Sequence, residues 1–127
     1  MLRKTAPLSK LAGPAVRAFV RVSNRWGLTL AQQLVLLGSP KEADYARWKK
    51  GGTHGVTDDT LERIAHVLAM YKALQALGVD NESSTWLAGP NNAPLFSGVS
   101  PLSRMLQGSV EDLVAVRAHL DSQFEWS

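Results

Sequence analysis

The chain has 127 residues, 45% hydrophobic and 20% charged, a balance that fits one folded unit or two small ones and lies far from disordered composition. It contains no cysteine, which removes disulfides, thiolate catalysis and cysteine-rich zinc sites together and suits a reducing compartment. The net charge of +3 conceals a split: residues 1–50 carry ten basic side chains against Glu42 and Asp44, a surplus of +8, whereas residues 51–127 carry four against nine acids, a deficit of −5. Random drift of surface charge is the bland account of such a split; a front half that faces a polyanion is the sharper one. No apolar run reaches the length of a membrane span, and the basic start has no apolar core with a cleavage site behind it, so a soluble, cytoplasmic protein without a membrane partner is expected.

In chain order the segments read as capped helices, with no alternation of the strand kind. The first helix is expected from about Ser9 to Asn24, with Leu11, Ala15, Phe19 and Val22 on one face and Arg17, Arg21 and Arg25 as a basic stripe on another. Pro14 falls in its first turn or divides it. Thr29-Leu-Ala-Gln32 is a capping box opening a short helix to Leu37, and Gly38 is the residue that ends it. Ser39-Pro-Lys-Glu42 reads as the next start, with Ser39 as N-cap and Pro40 at the first helical position; Lys49-Lys50 and Gly51-Gly52 close this helix. Two short helices joined by so short a turn form a helix-turn-helix. A long helix follows from Thr57 to about Leu77, its core stripe expected at Leu61, Ile64, Ala65, Leu68, Tyr71 and Leu74. Residues 80–101 are turn-rich yet hold Trp86, Leu87, Leu95 and Phe96. Ser100-Pro101 opens a short helix closed by Gly108, and Ser109 caps a final one with Leu113, Val116 and Leu120 inward. The fold class is therefore all-α: a helix-turn-helix bundle over residues 1–80, then a smaller helical subdomain over 81–127.

The second helix of a helix-turn-helix needs an apolar seat and a polar, basic outer face that meets phosphates and base edges. Leu34, Leu37, Ala43 and Trp48 are expected as the seat. Lys41, Asp44, Tyr45, Arg47, Lys49 and Lys50 are expected on the outer face, and His54, in the glycine loop Gly51–Gly55, as a phosphate contact. The DNA-binding candidates are thus Lys41, Tyr45, Arg47, Lys49, Lys50 and His54. Two packed helices with a solvated basic edge are the plainer reading of the same residues.

Arg25-Trp-Gly-Leu-Thr-Leu30, Leu36-Leu-Gly-Ser-Pro40, Tyr45-Ala-Arg-Trp-Lys-Lys-Gly51, Asp59-Thr-Leu-Glu-Arg-Ile64 and Met70-Tyr-Lys-Ala-Leu74 resemble the Xre-like domain of the Xre/MbcA/ParS antitoxins. Thr85-Trp-Leu87, Pro90-Asn-Asn-Ala-Pro-Leu-Phe96, Gly98-Val-Ser-Pro-Leu102, Met105-Leu-Gln-Gly108 and Asp112-Leu-Val-Ala-Val-Arg117 are similar to that family's toxin-binding domain, in the same order. In the usual spacing a tryptophan lies nine residues after the turn glycine, whereas Trp48 lies ten after Gly38, so either the recognition helix is shifted or the turn is one residue longer. The resemblance implies a partner of the RES fold, a toxin that consumes NAD or ADP-ribosylates a target. It also implies neutralisation by covering the toxin's active site, repression of the protein's own operon at operator DNA, and assembly as a homodimer and in higher-order complexes with toxin. The toxin-binding candidates are Leu95, Phe96, Arg104, Asp121, Gln123, Phe124, Glu125 and Trp126. Aromatic and apolar residues here suit interface anchors, while Asp121, Glu125 and the terminal carboxylate suit the arginines of a phosphate-binding pocket. Pro90, Pro94 and Pro101 limit the freedom that binding would freeze out. Core packing is the alternative role for Trp86, Leu95 and Phe96.

Catalytic and metal readings find little support. His54, His66 and His119 are far apart in sequence and show no zinc-ligand spacing, Asp58-Asp59 suits a helix dipole better than an acid pair, and the glycine loop has no strand before it. No catalytic residue, metal or cofactor is expected. Two rivals remain: a plain helix-turn-helix regulator without a toxin, and a toxin inhibitor whose DNA-binding half is vestigial.

Overall fold

The computed structural model describes residues 8–78 and 83–123, and all regular secondary structure among them is helical. Among the described residues seven helices follow one another: α1 Leu8–Trp26, α2 Leu30–Leu36, α3 Glu42–Lys49, α4 Asp58–Ala76, α5 Ser83–Ala88, α6 Pro101–Met105 and α7 Val110–Ser122. None is long and apolar enough to cross a membrane. Helix α1 is longer than expected at both ends, and Pro14 sits in its second turn without dividing it. Helix α5 lies inside the segment whose composition reads as turns.

Local chemistry sets most helix starts. Thr29 Oγ1 accepts from the Gln32 amide at 3.1 Å, and Gln32 Oε1 accepts from the Thr29 amide at 2.9 Å, closing the expected box. Thr57 caps α4, Ser100 caps α6 with Pro101 at its first position, and Ser109 with Asp112 caps α7. The start of α3 differs from expectation. Lys41, not Ser39, is its N-cap residue. Ser39 belongs to the end of α2: its amide donates to the Leu34 carbonyl at 2.7 Å while the Gly38 amide donates to Val35 at 3.0 Å, a Schellman closure. With φ of +62°, Ser39 also lacks the extended backbone that an N-cap needs. Residues 37–41 therefore form a turn longer than the usual three or so residues, and this absorbs the extra residue between Gly38 and Trp48.

Helix α4 is the hub, packed against α1 on one side and α7 on the other. One continuous apolar core runs from Val16, Phe19 and Trp26 through Tyr45, Trp48, Ile64 and Met70 to Phe96, Met105, Leu113 and Leu120. The α7 face is the expected one. The α4 face is turned: Val67, Met70 and Ala73 are buried beside Ile64 and Leu74, while Leu61, Leu68 and Tyr71 are only half-buried and Ala65 is exposed. Two neighbours on α4 bury an arc that a one-sided stripe does not describe. Leu11, expected inward on α1, is 45% exposed.

Candidate functional site

The front surface is built on α3 and the loop behind it. Tyr45 and Trp48 are the seat, with 1% and 3% of their surface exposed. Tyr45 stacks edge-on against Phe19 and Trp48, and its hydroxyl donates to Gln33 Oε1 at 2.6 Å, tying α3 to α1 and α2. Burial raises its phenol pKa to about 12. Tyr45 is thus a correction: expected on the outer face, it is a core residue. Ala43 is the converse, expected in the seat and found exposed beside Ala46. With the inward side set by Tyr45 and Trp48, the helical repeat places Ala43, Ala46 and Lys50 at the middle of the outward side.

The basic candidates differ in how they are held. Arg47 donates to Asp44 Oδ1 at 3.0 Å and to the His54 carbonyl at 2.5 Å, and the Trp48 indole N–H donates to the same carbonyl at 2.9 Å. Arg47 therefore braces the Gly51–Gly55 loop against the end of α3, and the His54 ring stays exposed. The Lys49 ammonium lies 4.6 Å from the Tyr45 ring centroid. Lys50 is exposed next to it, while Lys41 is exposed at the opposite end of α3. Arg47, Lys49, Lys50 and His54 thus gather round the C-terminal end of the helix, and Lys41 stands apart.

Behind the turn lies an element that sequence alone does not flag. Arg63, with 11% of its side chain exposed, donates to Asp59 Oδ2 at 2.8 Å and to the Gly108 carbonyl at 3.1 Å. A Cβ on Gly38 would lie 3.0 Å from Arg63 Nε and 3.1 Å from Asp59 Oδ2. The turn of the helix-turn-helix, the first turns of α4 and the α6–α7 loop therefore meet at one guanidinium.

The back surface is assembled by α5, α6, α7 and the loop 89–100. Phe96 is buried, edge-on to Trp86 and His119 at 6.1 and 5.1 Å, so it packs the core rather than standing free as an anchor. Arg104, half-buried, donates to Asp112 Oδ1 at 2.7 Å and ties α6 to α7. Leu95 is half-buried. Asp121 and Gln123 are exposed near the end of α7, with Asp121 3.7 Å from Arg117 and Gln123 donating to the His119 carbonyl. Phe124, Glu125 and Trp126 lie outside the described residues, as does the expected boundary at residue 80. Sequence reasoning missed Val99 and Val114, 51% and 42% exposed. Val114 sits one residue off the Leu113–Val116–Leu120 stripe, and that offset was the available signal. Among the described residues no group of His, Asp and Glu is placed to hold a metal ion.

Comparison with known proteins agrees with this geometry. Residues 11–69 match the antitoxin Xre-like helix-turn-helix domain, a span from α1 to the middle of α4. The uncharacterized protein y4oB of Sinorhizobium fredii is 41% identical over 126 residues, covering 96% of this chain and 95% of that protein. The identity with y4oB runs on through α5, α6 and α7, and the chain belongs to the family of proteins that carry the antitoxin Xre-like helix-turn-helix domain.

Proposed function

We propose that the chain is an antitoxin that neutralises a RES-domain toxin, NAD-consuming or ADP-ribosylating, by covering its active site, and that it represses its own operon through the helix-turn-helix. The observation that carries this reading is an antitoxin-type helix-turn-helix with a second helical unit docked on its α4. Residues 1–80 serve DNA binding and dimerisation, and residues 81–127 serve toxin binding. On the DNA side, Lys41, Lys49, Lys50 and the His54 loop supply phosphate contacts, with Arg47 holding that loop in place. On the toxin side, Leu95, Asp121, Gln123 and Phe124–Trp126 supply the contact, together with the exposed Val99. The protein itself performs no catalysis and needs no cofactor. It works in the cytoplasm, as a homodimer and in higher-order complexes with toxin.

The burial of Phe96 favours the second reading, a plain helix-turn-helix regulator whose back half has no toxin to cover. Removing residues 122–127 separates the two. An antitoxin so truncated loses its ability to rescue cells expressing the toxin, while operator binding is retained. A regulator shows no toxin-linked phenotype with either form.

A further inference from the structure

The seam of α1 and α4 forms a groove lined by these two helices alone, apart from α3 and from α5–α7. Its larger part has a volume of about 680 Å³, within the ~300–1,000 Å³ range of small-molecule sites. Val22, Leu68 and Tyr71 form the floor there, with Arg21 on the α1 wall and Lys72 on the α4 wall. No carboxylate lines this part. Arg21 and Lys72 are exposed, and among the described residues neither enters an ion pair, so their charge is not neutralised within the fold. Both precede the last turn of their helix, so compensation of the helix dipole does not account for them. Beyond Leu68 the groove runs on between the exposed Leu11, Ala15 and Leu61, where no cation lines it. Its one acid there, Glu62, lies 3.3 Å from His66. Cations thus gather where both helices finish, and aliphatic side chains where both begin.

That segregation selects the occupant. An acidic amphipathic helix carries its carboxylates along its whole length, and a nucleic-acid backbone or a membrane surface leaves a concave apolar floor unfilled. A molecule with one anionic head and one apolar tail matches both ends of the groove. We propose that the α1–α4 groove binds one free long-chain carboxylate, its head between Arg21 and Lys72 and its chain along Val22 and Leu68 towards Leu11. The two cations hold the head by charge-assisted hydrogen bonds. The ten residues from Leu11 to Arg21 rise ~15 Å, which an extended chain advancing ~1.2 Å per bond covers with about twelve carbons. The groove is open on one side, so each methylene leaves water only in part. Affinity therefore rises about twofold per added carbon, against the roughly fourfold of full burial.

Equilibrium dialysis of the full chain against dodecanoate, kept below its micellar concentration, tests this. The expected result is one dodecanoate per chain, with octanoate roughly tenfold weaker and the uncharged dodecanol also roughly tenfold weaker. Arg21→Gln/Lys72→Gln is expected to lower dodecanoate affinity by roughly tenfold or more and to leave dodecanol binding unchanged. Leu11→Asp, at the far end, is expected to weaken dodecanoate and to spare octanoate, whose chain stops short of it. Circular dichroism verifies that each variant is helical, and Arg21→Gln alone replaces the double variant if that is not. Equal binding of dodecanoate and dodecanol, several dodecanoates per chain, or an affinity untouched by the charge substitutions overturns the proposal. Absence of dodecanoate binding overturns it too: binding to phosphatidylglycerol vesicles would then make the groove's rim a membrane contact, and no binding to either would leave the groove to a protein partner.

Discussion

Tyr45 joins three helices through one side chain, with its ring against Phe19 and Trp48 and its hydroxyl on Gln33. Tyr45→Phe keeps the packing and removes the hydrogen bond, so urea unfolding is expected to show a loss of about 0.5–1.5 kcal/mol. The pH dependence has a definite sign. The folded-state phenol pKa is raised from 10.0 to about 12, so its contribution is fully present below pH 10 and is lost as pH rises towards 12. The loss has a limiting slope of about 1.4 kcal/mol per pH unit, and Tyr45→Phe is expected to flatten that alkaline decline. Gly38 is constrained twice, by φ of +93° and by the Asp59–Arg63 pair beneath it. Gly38→Ala is therefore expected to cost about 1–2 kcal/mol in the same assay, and a neutral result would show that the turn can relax away from Arg63.

At the scale of elements, α3 is the helix that meets nucleic acid in the proposed function. Its outward middle carries Ala43 and Ala46, whose methyl groups give little base-edge readout, while its charge is gathered at the C-terminal end. Lys49→Ala/Lys50→Ala is accordingly expected to weaken binding to all duplexes alike and to reduce the salt slope of log affinity by about two. A mutant that instead loses preference among sequences while its slope is unchanged would contradict phosphate contact at these lysines. Helix caps were legible because a Thr29–Gln32 box or a Ser109–Asp112 box is decided within four residues. The cap of α3 was not, because Ser39 had already been used to close α2. The inward faces of α3 and α4 were only partly legible: periodicity marks an apolar stripe, but which arc is buried depends on what covers the helix. Tyr45, Ala43, Leu61 and Leu68 moved for that reason. Thr57→Ala, which removes the cap on the hub helix, is expected to cost about 1 kcal/mol.

For the whole molecule, the charge split carries the most meaning. A front half of +8 and a back half of −5 share one core, with Arg63 bridging the helix-turn-helix turn to the α6–α7 loop. All-helical architecture and family membership followed from motifs laid out in order along the chain. The site residues of the back half were harder to read, since Phe96 is the right residue type for an interface and is used inside. The central claim is that this back half silences a toxin. It is tested most directly by co-expressing the chain with a RES-domain toxin encoded beside it, purifying the two through a tag on one, and following NAD loss. The account predicts a stable complex that no longer consumes NAD, with consumption restored when residues 122–127 are removed. A toxin that does not co-purify, or that consumes NAD equally fast with the intact chain present, would contradict it.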